Sequence, residues 1–241
     1  MTISVLVPAY NEAAGLAASL ASIRAAMQAF AARGWTSELI VCDNNSTDAT
    51  AAIAHAAGAA VVFEPVNQIS RARNAAAARA SGDWLVFVDA DSHPPVALFA
   101  DAADAIASGQ VVAGGSVVAM ESSSRFGDAL VAAWNLVSRL TGWAAGAFIF
   151  VDATAFRAVG GFSQQLYAAE EIDLFRRLKH LARRQGRRVV ILRAHPLLTS
   201  GRKLRLHSPG RILSLILRTV VSGGRTLRRP QDLPLWYDGR R

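Results

Sequence analysis

Short apolar runs alternate with longer alanine-rich stretches over the first half of the chain. The short runs are rich in β-branched and aromatic residues, and the longer stretches repeat apolar residues at helical spacing. This pattern predicts strands at 2–8, 38–42, 60–63, 83–88 and 110–118. It predicts helices at 13–32, 47–57, 70–81 and 95–107. Strands and helices that alternate with short connections indicate an α/β fold with a mostly parallel sheet flanked by helices.

The second half of the chain is less regular. Its pattern predicts helices at 125–141 and 169–184 and a strand at 188–193, and it assigns no strand between residues 142 and 152. No stretch of 18 or more uncharged apolar residues occurs, so no transmembrane helix is expected. The chain enters its first strand without a preceding basic segment, which argues against a signal peptide.

Charge is distributed unevenly along the chain. Residues 1–120 hold 5 Lys or Arg against 10 Asp or Glu, whereas residues 121–241 hold 21 against 8. This asymmetry indicates either an anionic partner at the C-terminal end, such as an anionic lipid, a diphosphate or nucleic acid, or a basic surface that is only solvated. Nucleic acid is not expected as that partner, because the basic tail lacks interleaved aromatic residues and any recognisable binding module.

The last part of the chain, residues 206–241, reads as a basic amphipathic extension. Within it, residues 208–221 predict a short helix with one apolar face and one arginine-bearing face. This helix either lies on an anionic membrane surface or packs against the rest of the chain or a second copy in a homodimer. Both alternatives stay open at the level of sequence.

The chain lacks the sequence signals that are characteristic of several enzyme classes. The single cysteine, Cys42, excludes an intramolecular disulfide and suits a reducing cytoplasm. It falls inside a predicted strand, so we interpret it as a core residue rather than a nucleophile. No Gly-x-Gly-x-x-Gly follows the first strand and no Gly-Lys-Ser/Thr loop is present, which disfavours dinucleotide-binding Rossmann domains and P-loop NTPases.

Polar residues cluster where three of the predicted strands end. The first strand runs into Tyr10-Asn11-Glu12, the second into Asp43, and the fourth into Asp89-Ala90-Asp91. Ligands of open α/β sheets bind beyond the carboxyl ends of the strands, so these clusters are expected to converge. Carboxylates at the tip of a buried strand need a cation, and Mn²⁺ or Mg²⁺ bridging to phosphate oxygens would supply one.

The order and spacing of these motifs closely resemble those of family 2 glycosyltransferases, which have the GT-A nucleotide-sugar-binding fold. The resemblance covers roughly residues 2–205, and it implies a nucleotide-binding half at about 1–118 and an acceptor half at about 119–205. It rests on six segments in order: Val5–Glu12, Asp43–Asp48, Ser70–Asn74, Asp89–Asp91, Gly160–Phe162 and Glu170–Leu174.

The resemblance implies inverting transfer of a sugar from a nucleotide diphosphate sugar, with a UDP-sugar favoured, to an acceptor hydroxyl. Asp91 is then the main ligand of Mn²⁺ or Mg²⁺, and Asp89 contacts the ribose, the metal or its bound water. His195 and His207 are candidates for a third metal ligand, and neither matches a motif firmly. The implied donor-binding residues are Pro8, Ala9, Tyr10, Glu12, Asp43, Arg71 and Arg202.

The segment Glu170-Glu171-Ile172-Asp173 resembles the family's Glu-Asp-x-Asp, whose second position carries the catalytic base. Here that position is Glu171, a departure that moves the carboxylate by about one bond length, and catalysis is sensitive to placement on that scale. We expect Glu171 to be the base, with Glu170 and Asp173 as alternatives.

Two other interpretations of the same residues stay open. A nucleotidyltransferase of similar topology also uses metal-binding aspartates, but it carries a glycine-rich basic loop that Pro8–Glu12 does not provide. A nucleotide-sugar-binding scaffold without turnover is supported only by the glutamate at position 171. The sequence identifies neither the sugar nor the acceptor, and a lipid-linked acceptor is among the alternatives. The chain lacks the Gln-x-x-Arg-Trp motif of processive synthases.

Overall fold

The computed structural model describes residues 1–120, 125–199 and 225–233, together with Gly210, Ser214, Arg218 and Ser222. The strands are β1 (Thr2–Ala9), β2 (Thr36–Asp43), β3 (Ala60–Phe63), β4 (Trp84–Val88), β5 (Ser92–His93), β6 (Val111–Met120), β7 (Phe148–Asp152) and β8 (Arg188–Thr199). The α-helices are α1 (Leu16–Ala31), α2 (Thr50–Ala56), α3 (Ile69–Arg79), α4 (Val96–Ala107), α5 (Arg125–Thr141), α6 (Ala153–Ala158) and α7 (Glu170–Arg184). Two short 3-10 helices follow at Arg225–Arg228 and Pro230–Asp232. Among the described residues, no helix is both long and apolar enough to cross a membrane.

All eight strands of the described chain belong to one sheet, in the order β3-β2-β1-β4-β7-β6-β8-β5. Strands β1 to β4 pair in parallel, and β8 is parallel to β6. Strand β7 is antiparallel to both β4 and β6, and the two-residue β5 is antiparallel to β8. The predicted mostly parallel sheet is therefore confirmed, and the five strands predicted in the first half all run in one direction.

Strand β7 is the main departure from the sequence prediction, which placed no strand in this region. Its run Phe148–Asp152 has strand-like composition, but the small residues that precede it hide where it begins. Strand β8 also continues to Thr199, beyond its predicted end at residue 193. It does so because Leu197–Thr199 pair with Val118–Met120 after an irregularity in the register.

Helices cover both faces of the sheet because successive strand residues point to opposite sides. Val5 and Val7 of β1 pack into a core with α1 and α4, whereas Leu6 packs into a second core with α3, α6 and α7. Helix α1 packs on the sheet through one face, because its large buried apolar residues recur every three or four positions. Those residues are Leu16, Leu20, Ile23, Met27 and Phe30.

The carboxyl ends of the central strands lie side by side. Ala9, the last residue of β1, pairs with Asp43, the last residue of β2. Next to Asp43, Cys42 is fully buried, and burial raises the pKa of its thiol to about 12. The expectation that Cys42 is a core residue is therefore confirmed. At the other edge of the sheet, Ser92 of β5, which directly follows Asp91, pairs with Thr199 of β8.

Two adjacent glycines of β6, Gly114 and Gly115, allow close packing in the middle of the sheet. A Cβ on Gly115 would overlap the Cβ of Ala144 and lie 2.9 Å from the carbonyl oxygen of Phe148. We expect Gly115→Ala to lower the free energy of unfolding by about 1–3 kcal/mol, because overpacking forces the neighbouring backbone apart. Urea unfolding measures this change.

Gly15→Ala is the matched control, because a Cβ at Gly15 meets nothing within 4 Å and its φ is −119°. Because Gly15 is the N-cap residue of α1, where alanine is less favourable than glycine, this variant should lower the free energy of unfolding by no more than about 1 kcal/mol. Equal losses in the two variants would contradict the packing explanation.

Candidate functional site

The loop after β1 is held by the loop after β2. Asn11 adopts a left-handed φ of 51°, its N–H donates to Ser46 Oγ at 3.0 Å, and its Oδ1 accepts from Thr47 N at 2.8 Å. Asp48 Oδ1 accepts from Thr50 N at 2.9 Å and its Oδ2 accepts from Ala13 N at 3.0 Å. Ser46 and Asp48 thus serve the local geometry of the turn and the helix start.

The residues predicted to bind the nucleotide lie at the ends of β1 and β2, next to the two loops that these hydrogen bonds join. Pro8 and Ala9 are buried in β1, and Tyr10 follows them with part of its surface exposed. Glu12 is buried, and its N–H donates to Thr50 Oγ1 at 2.9 Å. Asp43 is 7% exposed, and its Oδ1 accepts from Ser46 N at 3.0 Å. The carboxyl ends of β1 and β2 therefore bring together Pro8, Ala9, Tyr10, Glu12 and Asp43, and their contact with a nucleotide stays a prediction.

Buried amides connect this edge to the start of α3. Asn44 donates through Nδ2 to the carbonyl oxygens of Glu64 and Val66, and its Oδ1 accepts from Gln68 N at 2.9 Å. Gln68 in turn donates through Nε2 to the carbonyl oxygens of Gln164 and Leu166, at 2.8 and 3.0 Å. These bonds join the edge where β1 and β2 end to the loop that leads into α7.

Arg73 lies at the centre of the candidate site. Its side chain is 3% exposed, and it donates through NH1 to Glu170 Oε1 at 2.6 Å. Its NH2 donates to Asp89 Oδ1 at 2.9 Å and to the Gly146 carbonyl oxygen at 2.8 Å. The guanidinium also lies over the ring of Phe162, with its carbon 5.2 Å from the centroid. One cation therefore joins the first aspartate of Asp89-Ala90-Asp91 to the first glutamate of α7.

Electrostatics keep Arg73 charged in this buried position. Burial lowers the pKa of the guanidinium, but Asp89 and Glu170 outweigh burial and raise the pKa above its ordinary value. The planar guanidinium can serve two carboxylates and a carbonyl at once, which an ammonium group cannot do with the same geometry. Breaking such a buried ion pair by removing one partner is strongly destabilising.

Helix α7 begins with three carboxylates in different environments. Glu170 is buried and committed to Arg73, and Asp173 pairs with Arg177 one turn later, at 2.6 Å. Glu171 is partly buried between them. Burial, followed by the neighbouring carboxylate of Glu170, raises the pKa of Glu171 to about 8, against the lowering effect of Arg73. The three candidates for the base thus differ in their partners: Glu170 and Asp173 are each paired with an arginine, whereas Glu171 has a raised pKa.

The backbone just before these carboxylates is strained. Ala169, the N-cap residue of α7, has φ 59° and ψ 20°, a left-handed conformation that costs an alanine free energy. Such strain persists where the surroundings fix it. Here Glu170 is fixed by Arg73, and the N–H groups of Ile172 and Asp173 donate to the Ala169 carbonyl oxygen. The turn sets the direction in which Glu170 and Glu171 leave the backbone.

The Gly160-Gly161-Phe162 turn is clamped onto α3. Asn74 Nδ2 donates to the Phe162 carbonyl oxygen at 2.8 Å, and Asn74 Oδ1 accepts from Phe162 N at 3.0 Å. Gly161 has φ 66°, and a Cβ there would lie 2.7 Å from Asn74 Oδ1. The clamp holds the Phe162 ring over Arg73, so Asn74 has a structural role.

Sequence reasoning named Arg71 for the diphosphate and overlooked Arg73 as the centre of the site. Of the two arginines at this helix start, Arg73 is the one that forms ion pairs, with Asp89 and with Glu170. The signal was available in the helical spacing: Arg73 lies on the buried face of α3 with Ala72 and Ala76. Arg71 is partly exposed, and its contact with a diphosphate stays a prediction.

The metal candidates are only partly brought together. Asp91 follows β4 two residues after Asp89 and is partly buried. His195 Nδ1 lies 2.9 Å from Asp101 Oδ2 of α4, so the structure gives this histidine a partner of its own. Within the described ranges, no group of three or more His, Cys, Asp or Glu side chains is placed to hold a metal ion. Arg202 and His207 lie outside the described residues.

Comparison with known proteins identifies the family. A family model described as glycosyl transferase family 2 matches residues 4–158. The chain belongs to glycosyl transferase family 2. The family model ends before α7, so it covers the ends of β1 and β2 and Arg73 but not Glu170 or Glu171.

Solved structures of other glycosyltransferases have the same GT-A fold as this family 2 chain. TarS 1-349 of S. aureus, crystallised with UDP-GlcNAc, is 21% identical with a TM-score of 0.64, covering 83% of this chain and 58% of that one. Glucosyl-3-phosphoglycerate synthase of Mycobacterium tuberculosis, crystallised with Mn²⁺, UDP and phosphoglyceric acid, is 23% identical with a TM-score of 0.62, covering 91% and 76%.

A curated relative of this family 2 chain matches over a short segment. It is a TPR repeat-containing protein of Synechococcus elongatus, 49% identical over 55 residues, which is 22% of this chain and 14% of the relative. The chain thus spans a small part of that relative and less than two thirds of TarS 1-349.

Proposed function

We propose that this family 2 glycosyltransferase transfers a sugar from a UDP-sugar to an acceptor hydroxyl in a single, metal-assisted, inverting displacement. The observation that carries the proposal is the Arg73 bridge, which places the Asp89 motif and the start of α7 around one buried cation. It puts a carboxylate with a pKa of about 8, Glu171, beside the strand end where the donor diphosphate is expected.

The donor binds at the carboxyl ends of β1 and β2. Asp43 Oδ1 is held by Ser46 N, which orients this carboxylate toward a nucleobase, and Tyr10 stacks on the base. Pro8, Ala9 and Glu12 line the base and ribose, and Arg71 faces the diphosphate. UDP and UDP-GlcNAc in the structures of similar proteins support uridine as the base. Arg202, three residues beyond Thr199, contributes to the diphosphate site in this proposal.

A divalent metal fits the donor set at the end of β4. Asp91, with Asp89 beside it, offers hard oxygen ligands, which suit Mn²⁺ or Mg²⁺. Such ions are held by one or two carboxylates together with substrate phosphates, so no larger protein cluster is needed. When bound, the metal supplies positive charge that stabilises the departing diphosphate. Mn²⁺ in the complex of glucosyl-3-phosphoglycerate synthase supports this assignment.

The proton of the acceptor hydroxyl goes to Glu171. As that proton leaves, the acceptor oxygen bonds to the anomeric carbon, and the bond from this carbon to the diphosphate oxygen breaks. The electron pair of the broken bond leaves with the nucleoside diphosphate, and the configuration inverts. A base with a pKa close to the working pH is effective in such a step. Glu170 holds the first turn of α7 in place through Arg73.

Thermal unfolding with nucleotides tests the donor assignment. UDP should raise the unfolding midpoint in the presence of Mn²⁺, because a ligand that binds only the native state stabilises it. Asp91→Ala should remove the metal-dependent part of this rise, while Asp101→Ala, which alters the carboxylate paired with His195, should retain it.

The same experiment discriminates the alternatives. A midpoint that no nucleoside diphosphate changes would overturn the donor site. UDP binding without any turnover of UDP-sugars, to water or to acceptors, would favour a scaffold that has lost activity.

A further inference from the structure

A segment near the end of the chain, residues 225–233, is docked on the loop before α7. The Leu227 carbonyl oxygen accepts from Tyr167 N at 2.7 Å. Thr226 is 7% exposed and Leu233 is fully buried, although both lie far outside the residues that the family model matches. The segment is thus anchored by burial at both ends, in addition to the hydrogen bond.

The loop that receives this segment, residues 163–169, is part of the Arg73 site at both ends. Phe162, just before the loop, lies under the Arg73 guanidinium, and Glu170, just after it, is paired with the same group. The middle of the loop is fixed by Gln68 Nε2, which donates to two of its carbonyl oxygens. A segment bound at Tyr167 is therefore held four residues from Glu171, on a loop with little freedom.

The docked segment carries a concentration of positive charge. Three of its arginines are exposed, and none of them pairs with a carboxylate of a described residue: Arg225, Arg228 and Arg229. The one acidic residue of the segment, Asp232, lies 3.4 Å from Arg218 NH2. Residues 163–169 contain no charged side chain. The carboxylates of α7 and the exposed arginines of the segment thus flank an uncharged loop.

We propose that residues 225–229 bind a phosphate group of the acceptor, so that the acceptor of this enzyme is a phosphate-bearing alcohol. An arginine fork binds phosphate through paired hydrogen bonds. Positive charge here also offsets the repulsion that Glu170 and Glu171 exert on an anionic acceptor approaching the base. This inference rests on the proposed function, because it takes α7 to be the acceptor side of the site.

Two pairs of probes test the proposal with the full-length protein bound to UDP and Mn²⁺. One pair is glycerol and glycerol phosphate, and the other is phosphatidylcholine vesicles with and without phosphatidic acid. The variant Arg228→Ala/Arg229→Ala is compared with Arg183→Ala/Arg184→Ala, which removes two exposed arginines from the far end of α7. We expect the phosphate-bearing member to bind more tightly, and the first variant to weaken that binding tenfold or more. The control should change it by less than twofold.

The outcomes separate the sources of the phosphate and the two proposals. Binding of glycerol phosphate supports a soluble acceptor, and binding only of phosphatidic acid vesicles supports a lipid acceptor. Binding of neither phosphate probe, or equal weakening in both variants, overturns the inference. It is also overturned if Arg228→Ala/Arg229→Ala loses UDP affinity instead, because the arginines would then belong to the donor site. Failure of the wild-type protein to bind UDP counts separately, against the proposed function.

Discussion

Replacement of Glu171 by glutamine is expected to lower kcat by about 10²–10⁴-fold while UDP affinity stays near the wild-type value. Glutamine keeps the size of the side chain but cannot accept the acceptor proton. Steady-state transfer or donor hydrolysis, together with UDP binding, measures both quantities. In the wild-type enzyme, kcat/KM should rise with pH up to about pH 8, because only the ionised carboxylate of Glu171 acts as a base.

The same substitution should have the opposite effect on stability. The pKa of Glu171 is about 8 in the folded protein against an ordinary value of 4.5, so the folded state binds the extra proton between these pH values. The free energy of unfolding that this group contributes is therefore complete below pH 4.5 and is lost as pH rises to 8. Glutamine stays neutral, so the Tm of Glu171→Gln should increasingly exceed that of the wild type from pH 5 to pH 9.

This combination separates catalysis from folding. A variant that is more stable at pH 9 and yet inactive has lost chemistry rather than structure. Asp173→Asn is the control on the same helix turn, and it should retain most of the activity because Asp173 is paired with Arg177. Full activity of Glu171→Gln would exclude Glu171 as the base.

Replacement of Arg73 by methionine is expected to lower the free energy of unfolding by about 3–5 kcal/mol. Methionine fills a similar volume but removes the guanidinium that donates to the buried Glu170 carboxylate and to the Gly146 carbonyl oxygen. For a chain of this length the Tm should fall by roughly 6–20 °C. Urea or thermal unfolding gives the value, and Arg73→Lys should give a smaller loss because it keeps the charge without the planar fork.

Arg71→Met is the matched control for this change. Arg71 starts the same helix but is partly exposed, so its removal should alter the free energy of unfolding by less than about 0.5 kcal/mol. If Arg73→Met proved no less stable than Arg71→Met, the two ion pairs of Arg73 would not hold the site together.

Local periodicity made most of the sheet predictable. Strands β1 to β4 and the helices between them begin and end within a few residues of the predicted positions. Each of these elements shows its hydrophobic pattern within its own segment of sequence. Strand β7 escaped because the small residues before Phe148 weaken the pattern and its pairing with β4 is between distant parts of the chain. Long-range pairing of this kind leaves no mark on a local window of sequence.

The residue types of the candidate site could be predicted from the sequence, but the contacts between their side chains could not. The carboxylates at 89, 91, 170 and 171 were visible as motifs at element ends. Their joining through Arg73 depends on how α3 and α7 pack on one face of the sheet, which is a tertiary property. The raised pKa of Glu171 likewise follows from burial and from a neighbour, and composition alone predicts neither.

The position of β7 has a consequence for the order of assembly during synthesis. Strand β4 can pair with β1 once residue 88 has been made, but its other edge is completed only by Phe148–Asp152. The Asp89 N–H, which donates to the Ala147 carbonyl oxygen, waits for the same segment, and so does Arg73 for Gly146. The N-terminal part of the nascent chain therefore carries an open strand edge for some sixty residues of translation, while Arg73 can pair with Asp89 but still lacks Gly146 and Glu170. Unpaired strand edges are prone to aggregation, so the nascent chain is more exposed to wrong strand pairing in this interval than after β7 has been added.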